Sequence, residues 1–219
     1  MNRLVVFDCD GTLVDSQATI CDAIAQGFGA CGITAPGRDA ARGIIGLSLT
    51  EAMQRLHPTG TPDEHNALTV AYKDAFFAMR AAGLANEPLY DGIADVIAAL
   101  DARGWMLGVA TGKSDRGLKH ILEHHGLHAR FVTLQTADRH PSKPHPAMLE
   151  QAMADAGATP ETTIMIGDTS YDIAMAKAAG AGAIGVSWGY HDVPALREAG
   201  ADAVAHHASE LVPMIEALR

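Results

Sequence analysis

The chain alternates short apolar runs with longer stretches in which apolar residues recur at helical spacing. The apolar runs lack polar–apolar alternation, which is typical of strands buried on both faces of a parallel sheet. They predict strands over residues 4–7, 106–110, 131–134, 163–166, 183–186 and 203–205. The stretches between them predict helices over residues 93–102, 116–125, 146–156 and 172–179. This succession of strands and helices indicates an α/β fold with a doubly wound parallel sheet.

Residues 16–87 interrupt this rhythm. They contain no strand-like run and predict helices over residues 17–30, 49–56 and 62–82. A helical block of this length is too large for one crossover connection. We therefore expect a helical cap inserted into an α/β core, with the cap at 16–87, the core at 1–15 and 88–219, and hinges near 14–16 and 86–90. The alternative is that these helices pack directly on the sheet.

Polar residues and glycines follow the predicted strands at the point where each strand ends. In parallel α/β sheets, ligands bind beyond the carboxyl ends of the strands, so these residues should converge on one site. They are Asp8, Asp10, Gly11 and Thr12 after the first strand, Thr111, Gly112 and Lys113 after the second, Lys143 after the third, and Asp168 and Asp172 after the fourth.

Several carboxylates at one place need a hard cation, and oxygen ligands suit Mg²⁺. A Mg²⁺ ion typically binds a few carboxylates together with a substrate phosphate. Thr111 and backbone N–H groups at a helix N-terminus could hold phosphate oxygens, and the charge of Lys143 could neutralise them. Asp8 could then attack phosphorus, while Asp10 serves as general acid and afterwards as general base.

Four segments carry a resemblance to a known family. They read VVFDCDGTLVDS, GVATGKS, PSKPHP and MIGDTSYDI, and they occur in the order in which the family has them. On these motifs the chain resembles the haloacid dehalogenase superfamily of phosphohydrolases along its whole length. The resemblance implies a Rossmann-like core with an inserted helical cap, and Mg²⁺ as the cofactor.

The resemblance also implies a role for each matching acid. Asp8 would be the nucleophile and a Mg²⁺ ligand, and Asp10 would be the acid/base that binds the metal through its backbone carbonyl. Asp168 would ligate Mg²⁺ directly. Asp172 would hold the ion through water or orient Lys143, although the residue type and position also suit the N-cap of a helix.

The remaining motif positions are implied to serve the phosphate. Thr111 would bind it, and Lys143 would stabilise the charge of the pentacoordinate phosphorus. Gly11 would let the chain turn, and Gly112 would let the backbone approach the phosphate. Cys9 lies between two site residues, so its side chain should face away into the core.

Asp10 argues against dehalogenation, because a halide leaving group needs no proton. The cap and the VDS ending resemble phosphoglycolate-phosphatase-like enzymes, so the expected activity is hydrolysis of a small phosphomonoester, such as phosphoglycolate or a sugar phosphate. A sugar phosphomutase of the β-phosphoglucomutase type shares the motifs and the cap, and no residue decides between the two. A non-catalytic binding protein and a phosphorylated receiver domain are alternatives from other classes.

The cap is expected to read the organic part of the substrate. The segment 41–53 is where such caps carry a substrate-reading loop; there Arg42 could meet an anionic group and Gly46 allows close approach. Arg42 could equally be a surface residue. Lys73 and Arg80 are further candidates on the next cap helix.

The composition of the chain limits the classes of partner and the cellular location that we expect. The formal net charge is −10, which disfavours nucleic acid and anionic membranes as partners but leaves a small anionic metabolite open. Three cysteines without metal-binding spacing, no secretory leader and no long apolar segment favour a cytoplasmic protein. Either a monomer or a homodimer is expected.

Overall fold

The protein is described here from a computed structural model that covers residues 2–218; Met1 and Arg219, which end the expected core, lie outside the described residues. Within this range, six strands form one sheet in which every neighbouring pair is parallel. The strand order is β3-β2-β1-β4-β5-β6. The strands are β1 (Asn2–Phe7), β2 (Met106–Thr111), β3 (Thr133–Thr136), β4 (Ala158–Gly167), β5 (Gly182–Val186) and β6 (Ala203–Ala205).

Ten α-helices accompany the sheet in the described part of the chain. Four lie between β1 and β2 in sequence and precede the first core helix: α1 (Gln17–Ala30), α2 (Arg38–Gly43), α3 (Leu49–Leu56) and α4 (Pro62–Ala81). The other six are α5 (Ile93–Ala102), α6 (Asp115–His124), α7 (Ala147–Ala156), α8 (Ser170–Ala178), α9 (Val193–Glu198) and α10 (Leu211–Ala217).

Successive residues of β1 face opposite sides of the sheet, which is therefore covered on both faces. Val5 and Phe7 pack into a core that contains side chains of α5, α6 and α10. Leu4 and Val6 pack into a second core with α7, α8 and α9. These apolar residues are fully buried, which explains why the strand reads as a continuous apolar run. The α/β, doubly wound, Rossmann-like fold predicted from the sequence is confirmed.

Helices α1 to α4 have a hydrophobic core of their own. It includes Ile24 and Phe28 of α1, Met53 of α3 and Leu68 of α4. The two segments that connect these helices to the rest run side by side. Val14 forms an antiparallel bridge with Leu89, and the backbone N–H of Asp15 donates to the carbonyl of Pro88 at 2.9 Å.

Several predicted boundaries were wrong. The third strand begins at Thr133 rather than at residue 131, because a 3₁₀ turn precedes Phe131 and Val132 is 55% exposed. The fourth strand begins at Ala158, where it pairs with Asn2, five residues before its apolar run. Helices α2, α9 and α10 were not predicted, since six or seven residues are too few to show helical periodicity.

Among the described residues, no helix is both long enough and apolar enough to span a membrane.

Candidate active site

The acidic site lies where the central strands β1 and β4 end. Asp8 directly follows β1, and its backbone N–H donates to the carbonyl of Ile166 at 2.9 Å. Asp168 directly follows β4, and Asp172 lies in the first turn of α8. Lys143 enters from the loop between β3 and α7. All four side chains are buried, so the fold removes a dense group of charges from water.

Lys143 joins two of the three acids. Its Nζ lies 2.8 Å from Asp8 Oδ1 and 2.6 Å from Asp172 Oδ1. Burial alone would lower the pKa of Lys143, but the charges of Asp172 and Asp8 outweigh it and raise the pKa above its usual range. The lysine therefore remains an ammonium group beside the Asp8 carboxylate.

Asp168 is fixed by neighbours on both sides. Its Oδ1 accepts from the hydroxyl of Thr12 at 2.9 Å, and its Oδ2 accepts from the backbone N–H of Tyr190 at 2.8 Å. A Cβ at Gly11 or at Gly189 would overlap the Asp168 side chain. Gly11 also has φ +83°, which agrees with its predicted place in a turn. These two glycines leave room for a carboxylate held against the backbone.

The three carboxylates fit a divalent cation. One oxygen each from Asp8, Asp168 and Asp172 lies within 4.8 Å of the other two. Asp8 Oδ2 is buried and has no hydrogen-bond partner among the described residues, and such an atom is costly to leave without a ligand. Three acids also face a single lysine, so a further positive charge is needed for balance.

The pKa values report the same excess of negative charge. Burial raises the pKa of Asp8 from 3.8 to about 7; Lys143 opposes this rise and Asp172 adds to it. Burial likewise raises the pKa of Asp168, and the charges of Asp172 and Asp8 raise it further. A bound cation would favour the ionised form of both groups.

Asp172 has partners on both of its carboxylate oxygens. Oδ1 accepts from Lys143, while Oδ2 accepts from the backbone N–H of Thr169 at 3.1 Å and from its hydroxyl at 2.7 Å. Thr169, not Asp172, is the N-cap of α8, and Asp172 completes a capping box at the third helical position. Asp172 is thus held by hydrogen bonds on both oxygens, one of them with Lys143.

The side chain of Asp10 lies apart from the three-carboxylate cluster. Its Oδ1 accepts a short hydrogen bond from the hydroxyl of Ser16 and forms an ion pair with Lys113 Nζ at 2.8 Å. Ser16 is also within hydrogen-bond distance of the Tyr190 hydroxyl. Asp10 is therefore held between the first connecting segment and the end of β2.

Thr111 is the last residue of β2 and Gly112 follows it, as expected. The Thr111 hydroxyl is buried and accepts from the backbone N–H of Lys113 at 3.2 Å. A Cβ at Gly112 would overlap the carbonyl oxygens of Gly46 and Leu47. In this structure, Gly112 lets the backbone of the predicted cap loop approach the core.

A cavity of about 330 Å³ lies between helices α1, α3 and α4 and the loop after β2. Asp10, Gly112 and Lys113 form its core side, and the predicted candidates Lys73 and Arg80 also line it. Arg42 is exposed on α2 and does not belong to the lining. Cys9 is fully buried in the sheet core, which confirms that it faces away from the site.

Sequence reasoning assigned no role to four residues that support the site: Ser16, Glu87, Lys113 and Tyr190. Glu87 accepts from Lys113 at 3.1 Å and from Arg80 at 2.7 Å. Tyr190 belongs to the apolar core of helices α1 to α4, although it follows β5 in the chain. Lys113 follows a strand end and Ser16 lies in the first motif, six residues from Asp10, so the sequence contained a signal for both. Glu87 and Tyr190 reach the site through contacts distant in sequence.

The fold and this site define a class: a doubly wound α/β protein with a helical block inserted after its first strand and a buried, lysine-bridged carboxylate cluster at the strand ends. Residues 5–186 match the family model of haloacid dehalogenase-like hydrolases, and the chain belongs to that family.

Three similar proteins carry names that fit this family. The chain is 37% identical to the probable phosphatase IndB of Dickeya dadantii, over all of this chain and 95% of that protein. It is 32% identical to the phosphoglycolate phosphatase of Yersinia pestis, over 97% and 93% of the two chains. A solved structure of a predicted phosphatase from Clostridium acetobutylicum superposes with a TM-score of 0.88 at 26% identity, over 99% of both chains. Within its family, the chain is a phosphatase.

Proposed function

We propose that this protein is a Mg²⁺-dependent phosphatase that hydrolyses a small phosphomonoester through an aspartyl-phosphate on Asp8. The observation that carries the proposal is the state of the Asp8 carboxylate. One oxygen is ion-paired with Lys143, and the other is buried without a hydrogen-bond partner. A carboxylate kept in this way is oriented and poorly solvated, as a nucleophile needs to be.

The first step forms the covalent intermediate. An Asp8 oxygen attacks phosphorus, a new P–O bond forms, and the ester P–O bond breaks. Lys143 offsets the negative charge that collects on the phosphoryl oxygens, and the Thr111 hydroxyl donates to one of them. Asp10 donates a proton to the departing alkoxide oxygen, so the alcohol leaves neutral.

The second step returns the enzyme to its starting state. Water attacks the phosphorus of the aspartyl-phosphate while the Asp10 carboxylate accepts its proton, and the acyl phosphate bond breaks to release inorganic phosphate. Ser16 and Lys113 fix the position of Asp10 in both steps. Positioning and charge neutralisation are the main contributions to phosphoryl transfer.

Asp8 and Asp168 would hold Mg²⁺ through their carboxylates and Asp10 through its backbone carbonyl. Asp172 would act through a bound water or by orienting Lys143. When bound, the ion would neutralise the phosphate and fix it in line with Asp8. This all-oxygen donor set suits Mg²⁺ better than a softer metal.

Helices α1 to α4 would act as a cap, bounded near residues 16 and 87, that closes over the site and excludes water. The paired segments around Val14 and Leu89 would be its hinge. Contacts across the interface support a closed cap: the backbone N–H of Ser48 donates to Ser142 Oγ at 2.9 Å, and the Tyr171 hydroxyl donates to the carbonyl of Gly43 at 2.9 Å.

Phosphoglycolate and sugar phosphates are the first substrates to test, because a relative carries the name phosphoglycolate phosphatase. A cytoplasmic location is proposed with them, since all three cysteines are free thiols and two of them, Cys9 and Cys21, are buried.

The test measures phosphate release from a panel of esters with and without Mg²⁺, for the wild type and for Asp8→Asn. We expect turnover only with the metal, and at least a 10³-fold lower kcat in Asp8→Asn. With an ester labelled with ³²P in its phosphate, we expect the label to become attached to the wild-type chain and not to Asp8→Asn. Full activity of Asp8→Asn would overturn the nucleophile. Conversion of glucose 1-phosphate to glucose 6-phosphate without phosphate release would identify a mutase, and no turnover of any ester would favour a binding protein.

A further inference from the structure

The cavity beside Asp10 is larger than a two-carbon ester requires. Its volume is about 330 Å³. Cavities above about 300 Å³ are in the range that holds ring-bearing organic molecules. The organic part of phosphoglycolate, in contrast, has only two carbons.

The lining of this cavity is mostly apolar. Ile24 of α1, Met53 of α3 and Leu47 of the cap loop contribute aliphatic surface, and Phe76 and Phe77 of α4 contribute two aromatic rings. A polar two-carbon acid or a sugar would cover little of this apolar surface and would lose hydrogen bonds with water. A flat apolar group would instead remove both surfaces from water.

The lining also has polar members. Asp10, Gly112 and Lys113 lie on the core side, next to the proposed reaction centre. Lys73 and Arg116 are exposed, and neither forms an ion pair with any residue in the range 2–218. Such cations can attract a phosphate dianion to a protein whose net charge is −10.

We infer that the substrate is a phosphomonoester whose alcohol carries an apolar, ring-sized group, with the phosphate toward Asp8 and the ring against Phe76 and Phe77. This inference rests on the proposed phosphatase function and names the chemical class of its substrate. It sets this chain apart from an enzyme for two-carbon or sugar phosphates.

The test compares four phosphate esters of primary alcohols, so that the chemistry of the leaving oxygen stays similar. The esters are ethyl phosphate, phosphoglycolate, benzyl phosphate and 2-phenylethyl phosphate, each measured by phosphate release with Mg²⁺ present. We expect kcat/KM for the two aromatic esters to exceed that for the two small esters by at least about tenfold. We also expect 2-phenylethanol to inhibit competitively.

Variants of the cavity lining test whether Phe76 and Phe77 cause the preference for aromatic esters. Phe76→Ala should lower the ratio of kcat/KM for 2-phenylethyl phosphate to that for ethyl phosphate by about tenfold. Phe77→Ala should act in the same direction, and since the Phe77 side chain is 57% exposed, its loss should not endanger folding. Val70→Ala is the matched control, because Val70 is exposed on the same helix but lies outside the lining.

The outcomes separate the two proposals. Equal or greater kcat/KM for phosphoglycolate or ethyl phosphate in the wild type would overturn the inference and leave the phosphatase proposal standing. An aromatic preference that neither phenylalanine variant reduces would also overturn it, because the ring would then bind elsewhere. If no ester in the series or in the wider panel releases phosphate, the proposed function fails first, and the inference fails with it.

Discussion

Lys113 Nζ lies 2.8 Å from Asp10 Oδ1 and 3.1 Å from Glu87 Oε1, so one buried ammonium group joins the proposed acid/base to the segment that leads out of the cap. Arg80 of α4 extends the chain of charges to Glu87 at 2.7 Å. Burial alone would lower the pKa of Lys113, but Asp10 and Glu87 raise it above its usual range. The network therefore links the reaction centre to helix α4 through a chain of ion pairs.

The first prediction concerns this ion pair. Lys113→Met should destabilise the protein by about 3 kcal/mol, because it leaves the Asp10 carboxylate buried without a counter-charge. It should also lower kcat about tenfold or more, since Asp10 loses a group that positions it. Urea unfolding gives the stability, and steady-state kinetics on any accepted ester gives kcat.

A double variant and a surface variant control this result. In the Asp10→Asn background, Lys113→Met should cost clearly less, because no buried carboxylate remains unpaired at that position. Lys119→Met removes a lysine that is 63% exposed on α6, the helix that follows Lys113, and should change stability by less than about 0.5 kcal/mol. Equal costs in both backgrounds would mean that the ion pair with Asp10 is not what stabilises the site.

The second prediction concerns the raised pKa of Asp8. Because its pKa is about 7 in the folded chain and about 3.8 in the unfolded chain, the folded state binds the extra proton between these pH values. The contribution of Asp8 to stability therefore falls as pH rises from about 4 to 7. Without divalent metal, Asp8→Asn should have a Tm about 5 °C above that of the wild type at pH 8, with a smaller difference at pH 5.

Added Mg²⁺ should reverse this order, because the ion stabilises the wild type and has lost one ligand in the variant. Asp91→Asn changes an exposed carboxyl group of the core and should leave Tm unchanged at both pH values. A lower Tm of metal-free Asp8→Asn at pH 8 would show that the Asp8 carboxylate is net stabilising, contrary to the charge imbalance described above.

The third prediction concerns the metal directly. Calorimetric titration should show Mg²⁺ binding that weakens at least about tenfold in Asp168→Asn. Wild-type affinity should be greater at pH 8 than at pH 6, since the ion competes with the proton on Asp8. Asp138→Asn, which changes a carboxyl of the cavity lining outside the cluster, should bind Mg²⁺ as the wild type does. Equal binding by Asp168→Asn would remove that residue from the ligand set.

Sequence patterns sufficed for the sheet and for the residues at its strand ends. Asp8, Asp168 and Lys143 lie together because the residues that follow parallel strands all lie at the same edge of the sheet. This placement follows from the topology of the sheet and does not depend on details of packing. The apolar runs that revealed the strands are buried on both faces, which makes them visible without an alignment.

The cap surface could not be predicted in the same way. Arg42 was chosen from its place in a loop-like segment, but it lies on the exposed side of a six-residue helix. Glu87 and Tyr190 reach the site through contacts that span 26 residues and 174 residues of sequence, respectively. Such long-range contacts depend on how two hydrophobic cores pack together. A local pattern of residue types does not predict this packing.

The last prediction concerns the closure of the cap on Gly112. A methyl group at this position would overlap the carbonyl oxygens of Gly46 and Leu47, which belong to backbone and cannot rotate away. Gly112 has no positive φ, so alanine fits its backbone conformation and only the close approach is lost. Gly112→Ala should therefore lower kcat/KM at least about tenfold by holding the cap loop off the core, with little change in Tm.

Gly43→Ala is the matched control, because a Cβ there meets nothing within 4 Å and its φ is not positive either. It should leave kcat/KM unchanged. If the cap loop is the cause, the loss in Gly112→Ala should be greater for esters that fill the cavity than for ethyl phosphate, because only the larger esters draw binding energy from a closed cap. An equal loss for all esters would place the fault at the phosphate instead, where the backbone beside Thr111 would have shifted.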